Sequence, residues 1–584
     1  MVFVLLFLPV LILSLLFLYK AGIVTSEKMQ LQNAVDAAAY STSLIEARDL
    51  NYMAYSNRAM VANEVAVGQM VGLASWVRNW KSYADYLNAY NTLILAPLTQ
   101  TASTPIIEGF SKTLFTVPGE IATTIIDFIA KMGTSALSVI NKVYGGSQTG
   151  FHIVSMLYAA GTIPDVIDKN IDDAELSPFG VLSLIGHMYT YGAIPGTPGS
   201  FIKTHRPTST GASHLEGMER FAATVRQSRD EFTTKRGWEF TLNIIPPIVD
   251  GDLVIPLSIP VWPFPPVTAD ITIDLNFDFV LRRLGGSELR YVGSQARGDK
   301  FNWSAADDTD VGINFHLCIE FSLTVRLPDA LGGDQTVEIF NACIAAGAGS
   351  VDLRGSIVGI DIVILDNLPF PTSIPFSAAA YQSGDSKVTN VVAEGDEYYG
   401  TAPTNKLAWI TGLPPALSIS AQMPMAKNQN NSYKGLAMYN DTVPVDDPWG
   451  FQAPYLFLGV TKDFDETNKT GPRPRGQFAV NYGEGNACNN NTEDCLTDEL
   501  GAVAKSEVYF SRPSNPLDPA AAYFGRADGY TEYGSAFNPY WQARLAPTTH
   551  VERVVSLWLQ QSQSFSTIAQ TLGLPTWNPL DLIP

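Results

Sequence analysis

The sequence has little charge and almost none of the residue groupings that carry chemistry. Only 16% of its 584 residues are charged. The histidines His152, His187, His205, His214, His316 and His550 stand far apart. None forms the H-E-x-x-H pair that grips zinc on one helix face. No C-x-x-C occurs, which argues against zinc ribbons and dithiol redox centres, and no C-x-x-C-H, which argues against c-type haem. The phosphate-cradling P-loop and the nucleophile elbow G-x-S-x-G are missing as well. No catalytic residue, metal or cofactor is therefore expected. A basic stripe is absent too. With 37 basic against 57 acidic residues the net charge is −20, which repels phosphates, so nucleic acid is not an expected partner. Hydrophobic residues at 46% rule out a disordered acidic tail.

Cysteine is scarce. The four fall in two close pairs, Cys318 with Cys343 and Cys488 with Cys495. Such spacing suits local disulfides in an oxidising compartment; the alternative is four reduced thiols, two of them buried in strands. Two acidic clusters, Asp307/Asp308/Asp310 and Asp463/Asp465/Asn468, have oxygen ligands for calcium but lack the glycine and closing glutamate of a calcium loop, and read as solvated turns. Sequons stand at Asn302, Asn430, Asn440, Asn468 and Asn490, all in the region expected to be exposed.

What the sequence does have is an apolar start. Met1–Tyr19 carries no charge before Lys20. At about 1.5 Å per residue, such a helix spans a hydrocarbon core of roughly 30 Å. A cleavable signal peptide is the other reading, but no basic region precedes the apolar run, and helix-forming sequence follows where cleavage would fall. Pro9 is expected to kink this helix or melt one turn. Lys20 and Glu27 flank the span. Lys20 is expected to snorkel to the interface, or else to pair with a neighbouring subunit. Behind it, small residues recur at helical spacing (Ala34, Ala38, Ala66, Gly68, Gly72), as on helices that approach one another closely.

This start, with Pro9 and the run KMQLQNAVDAAAYSTSLIEAR, resembles the amino-terminal region of Tad-type (tight adherence) pilus proteins, the TadE/TadG-like group. Gln32, Asn33, Asp36, Ala37, Ala38 and Ala39 carry the resemblance. The segments LNYMAYSNRAMVAN (from Leu50) and FNPYWQARL (from Phe537) are similar to a longer subgroup of that family. The resemblance implies a pilin-like protein made with a short basic leader that a prepilin peptidase removes, so Met1 is expected to be a processed or trimmed end. Phe3 stands about where many pilins have an acidic residue. No von Willebrand-type D-x-S-x-S motif occurs.

The expected fold class is α+β. A long pilin-like apolar helix and stalk (1–97) continues into a helical region (98–236), with shorter helices broken at Pro164 and Pro178. A large antiparallel β domain (237–384) follows, signalled by the alternation of Ile271, Ile273, Leu275, Phe277 and Phe279 with polar residues. A loop-rich β extension (385–546) and a carboxy-terminal helix and tail (547–584) complete it. The expected function is a structural subunit that polymerises with itself through the apolar helix. It would wait in the inner membrane, then join an extracellular surface filament with help from pilus-assembly machinery. The alternatives are a membrane-anchored, non-polymerising or minor tip component of that machinery, and a surface adhesin. Asp36, on the Ala-lined face, either points to water or meets a cation such as Lys28 or Arg48 of a neighbouring subunit.

Overall fold

The computed structural model describes residues 2–91, 104–192, 200–207, 212–243, 253–259, 267–291, 301–325, 335–347, 350–357, 360–369, 373–383, 427–428, 433, 435–442, 453–463, 499–512 and 532–561. The fold is α+β, as its sequence pattern implies. Two compact units share the chain. Unit 1 gathers Met1–Met60, Asn141–Gly217 and Ala437–Pro584; unit 2 gathers Val61–Ile140 and Met218–Leu436. Neither is one continuous stretch, because two long helices each contribute to both. These are α1 (Val2–Tyr90) and α3 (Val117–Asn170), the latter preceded by α2 (Thr104–Ser111) and a π turn, Lys112–Thr116.

In unit 1, α1 and α3 pack with α4 (Pro178–Tyr191) on a four-stranded antiparallel sheet. Its strands run in the order β1 (Ala174–Leu176), β13 (Leu456–Asp463), β14 (Glu499–Phe510) and β15 (Trp541–Leu545). The core between them is aliphatic and small: Leu31, Ala34 and Ala38 of α1, Ile163 and Ile167 of α3, and Leu458 and Ala502 of the sheet. A separate pair joins β2 (Ile202–His205) to β12 (Tyr439–Thr442). Two expectations change here. Pro164 does not break α3, which runs through it to Asn170. Pro178 does not break a helix either but begins one, where its missing N–H has no intrahelical partner; Ser177 caps α4 by accepting from the Gly180 N–H at 3.0 Å.

Unit 2 is built on a nine-stranded sheet. It comprises β3 (Trp238–Asn243), β4 (Leu253–Ile259), β5 (Val267–Tyr291), β6 (Phe301–Val325), β7 (Gln335–Gly347), β8 (Ser350–Ile357), β9 (Ile360–Pro369), β10 (Ser373–Gln382) and β11 (Lys427–Asn428). All pairings are antiparallel except β10 with β11. The alternating run read from the sequence is one long strand, β5, which pairs without a slip along β6 from Val267↔Val325 to Tyr291↔Phe301. Cys318 and Cys343 face each other across β6 and β7 and are bonded. Cys488 and Cys495 lie outside the described residues. The helix expected at 214–236 is two, α5 (Ala212–Gln227) and α6 (Glu231–Thr234), divided where the Asp230 side chain accepts from the Thr233 N–H and restarts the helix. The carboxy-terminal helix α7 (His550–Gln561) packs in unit 1 on β14, β13 and α4.

The unit 2 part of α1 approaches the sheet closely at one glycine. A Cβ on Gly68 would stand 2.7 Å from the Trp303 ring, which is fully buried and donates from Nε1 to Glu64. Alanine there would gain about 1 kcal/mol of helix propensity. Overpacking a rigid core costs about 1–3 kcal/mol, so the clash should win. Gly68→Ala is therefore expected to lower the melting temperature in a thermal scan. An unchanged or higher melting temperature would mean that the indole moves aside freely.

Candidate membrane anchor and its attachment to the body

One helix meets two environments. Between Phe7 and Tyr19 the apolar side chains of α1 are 48–74% exposed, whereas Leu31, Ala34 and Ala38 are completely buried. An 18-residue window of this helix reaches a mean hydropathy of 2.2 with none of it buried. Length and composition therefore suffice to cross a bilayer. The helix continues through Pro9 with no break in its assignment, although that residue has no N–H for the carbonyl four residues back. Phe3 and Lys20 both lie within α1. A second helical stretch, Thr104–Asn170, passes the same test more weakly, with a mean hydropathy of 1.3.

Just past the exposed span, polar side chains tie α1 to its own sheet. Glu27 pairs with Lys462 of β13 at 3.0 Å. Lys28 donates to the Gly501 carbonyl of β14; burial, and then the charge of Arg553, lower its pKa to about 8. Gln32 bridges, donating to the Val503 carbonyl at 2.9 Å and to Asp36 at 3.0 Å. Asp36 is half-buried, and burial raises its pKa. Its carboxylate thus has a partner one turn away on its own helix. Asn33 is exposed and Ala37 half-buried, while the seam through Ala34 and Ala38 is closed by the same chain's α3 and sheet.

The two segments likened above to a longer subgroup meet in space. Asn51 donates to the Trp541 carbonyl at 2.9 Å and accepts from the Trp541 N–H at 3.0 Å. Asn57 donates to the Ala536 and Asn440 carbonyls. Arg58 donates to the Phe537 carbonyl at 2.6 Å and to Asn538 Oδ1 at 3.2 Å. These asparagine amides bond backbone groups of Trp541 at the start of β15, of Asn440 in β12 and of Ala536 just before β15.

Beneath this clasp lie two buried histidine–carboxylate pairs that sequence reading missed, having judged the histidines scattered. His152 of α3 faces Asp49 Oδ2 with Nδ1 at 2.6 Å and the Gly192 carbonyl with Nε2 at 2.7 Å. Gly192 ends α4 at a φ of 105°, a left-handed conformation that favours glycine and turns that carbonyl inward. His187 of α4 faces Glu46 Oε1 with Nε2 at 2.7 Å and the Tyr455 carbonyl with Nδ1 at 3.0 Å. Tyr191 donates to the Glu46 carbonyl. The available signal was Glu46 and Asp49, three residues apart and so on one face of α1. An imidazole between a carboxylate and a carbonyl needs a hydrogen on both edges, one of them shareable with the acid. Burial opposes the charged form, but the Asp49 and Glu46 carboxylates outweigh it, so both histidines hold their proton above the ordinary histidine range.

Other candidate residues land elsewhere. Asn302 on β6 and Asn440 on β12 are completely buried, so in the folded chain neither offers its amide to a glycan. Asn430, Asn468 and Asn490 lie outside the described residues. Asp307 is not in a solvated turn but on β6, buried against Arg236 at 3.1 Å and Arg283 at 3.3 Å. Asp308 and Asp310 continue that strand, opposite Leu284 and Arg282. Asp463 ends β13, and Asp465 lies outside the described residues. Among the described residues, no three metal-ligating side chains converge.

These features define a class: a protein whose exposed, apolar amino-terminal helix continues into the core of its own α+β body. Residues 1–43 match the Tad family, described as putative Flp pilus-assembly TadE/G-like. The matched segment is the one that carries the sequence resemblance, and the likeness is to the same TadE/TadG-like group. Comparisons with curated proteins and with solved structures return no match.

The histidine pairs give a pH dependence of definite sign. The folded chain keeps protons that the unfolded chain releases near pH 6.5, so their stabilisation is complete below that pH and is lost as pH rises through the folded values. The slope approaches about 1.4 kcal/mol per pH unit for each histidine. Above about pH 8, Lys28 works the other way, because its folded pKa is depressed from 10.5. The melting temperature is therefore expected to fall from pH 6.5 to 8, and His152→Gln should flatten that fall while lowering stability at pH 6. A flat wild-type profile over this window would refute the assignment.

Proposed function

We propose that this chain is a membrane-anchored component of a Tad-type pilus-assembly machine, and that it does not form the repeating subunit of the filament. The anchor is the apolar helix up to about Tyr19, and the folded body lies in an oxidising compartment outside the cytoplasm. The observation that carries this is the change of environment along α1. A filament core running to about Leu50 would need the Ala34–Ala38 seam for other subunits, and that seam is buried against the chain's own sheet and α3. The Asp36 carboxylate, met by Gln32, does not need a cation from a neighbour. The paired Cys318 and Cys343 suit the same compartment. We assign the chain no catalytic step. Its partners in this reading are the bilayer, other pilus-assembly proteins and, during maturation, a prepilin peptidase. The exposure of Phe7–Tyr19 also allows a second reading, a pilin that polymerises through that short span alone.

Cell fractionation separates the two. Under the anchor reading, the chain stays with the membranes after pili are sheared off and is released only by detergent. Deleting Met1–Tyr19 should then yield a soluble, folded protein. Asp36→Ala should leave membrane association intact and cost about 1 kcal/mol, the net worth of one hydrogen bond. Recovery of the chain as the main protein of sheared filaments would refute the anchor reading in favour of the pilin.

A further inference from the structure

The bond between Cys318 and Cys343 lies across a sheet, and both residues are only half-buried. The strands do not need it to stay together. The ladder of β6 with β7 runs past the cysteines on both sides, from Phe315↔Ala346 to Val325↔Gln335, and each strand has a second neighbour, β5 or β8. Opening the bond therefore leaves the backbone pairing intact.

The surroundings of the two sulfurs differ. Residues opposite one another on antiparallel strands share a face. Arg354 of β8 is exposed and stands opposite Cys343. Asp274 of β5 is the register partner of Cys318, and Glu320 lies two residues along β6 from it. Asp352, two residues from Arg354, stands opposite Ala345. A nearby cation favours a thiolate and nearby carboxylates oppose it, so a negative charge is better placed on Cys343 than on Cys318. A second observation concerns Asn341, two residues along β7. Its Oδ1 lies 3.3 Å from Cys343 Sγ. A bonded sulfur carries no hydrogen and offers this oxygen nothing, whereas a Cys343 thiol would donate to it. Turned over, the same amide would donate to a Cys343 thiolate. A partner for the reduced sulfur is thus already in place.

We propose that Cys318–Cys343 is a reversible redox site, opened in the folded chain by a dithiol reductant. The reductant's thiolate attacks Cys318 Sγ. The S–S bond breaks, and its electron pair leaves on Cys343, which takes a proton from water or stays ionised beside Arg354. The reductant's second thiol gives its proton to water and attacks the reductant's own sulfur in the mixed disulfide. Cys318 leaves with that electron pair and is protonated. Two electrons pass to the protein, and the reductant ends as a disulfide. The site lies in unit 2 and does not depend on the membrane role proposed above.

The test uses the full chain in detergent micelles without denaturant. A limiting amount of 2-mercaptoethanol is added, free thiols are trapped with iodoacetamide, and the peptides holding Cys318 and Cys343 are read by mass spectrometry. The adduct should sit on Cys318 and the trapped thiol on Cys343, in excess of the reverse by about threefold or more, and Arg354→Gln should remove this bias. Excess dithiothreitol should open the bond fully with an unchanged circular dichroism spectrum. Asn341→Ala should shift the equilibrium with dithiothreitol about threefold towards the disulfide. Peptides that stay bridged until denaturant unfolds the chain would overturn the inference. So would loss of the folded spectrum on reduction, which would make the bond a structural staple. An even spread of the adduct, a bias that survives Arg354→Gln, or an unmoved equilibrium in Asn341→Ala would count equally against it.

Discussion

The close seating of α1 on its own sheet is the constraint that unit 1 depends on. Alanines at 34, 38 and 39 leave no bulk between helix and strands, so the apolar side chains of β13 and β14 reach the helix backbone. Such a smooth contact would let the helix slide or turn, because apolar packing is not directional. Polar side chains at intervals remove that freedom. Gln32 holds Val503, Ser506 donates to the Ala39 carbonyl and meets Ser43 at 2.8 Å, and Asn51 holds Trp541. Each bond contributes about 1 kcal/mol net but would leave a buried polar group unpaired in any other register. The aliphatic contacts thus supply the affinity of helix for sheet, and the hydrogen bonds fix its position.

The same helix therefore divides by solvent. Its first part is uncharged, with its apolar side chains exposed from Phe7 to Tyr19. Its later part exposes only a narrow line of residues, including Asn33, Leu44, Tyr55 and Ala62, with every other face packed or half-packed. Glu27 and Lys28 mark the transition, each meeting a group on the sheet. A single helix joins the exposed apolar span to the packed body, with no break between them.

The apolar span, the α+β class and the β5 alternation were all legible, because period and composition are local properties. The disulfide at Cys318 followed from its neighbouring strands. Pro164 misled because a proline inside a helix costs one bond and some strain, and the packing of Ile163 and Ile167 outweighs that cost. The Ala34–Ala38 face announced close packing but could not say whether the partner was another chain or this one; that depends on residues more than a hundred positions away. The histidine pairs were hidden for the same reason, since Asp49 and His152 are 103 residues apart. Burial of the sequons at Asn302 and Asn440 is also tertiary, set by where their strands lie in the sheets.

The clasp between Asn51 and Trp541 joins residues 490 positions apart. A ribosome adding about 5–20 residues per second needs roughly half a minute to a minute and a half to cover that distance. For most of that interval α1 exists without β13 or β14, and throughout it without β15. Unit 1 can close only when nearly the whole chain has been made. A product shortened by premature termination before Trp541 would keep the apolar span but lack the strand that completes the sheet, and would remain recognisable to proteases as unfinished.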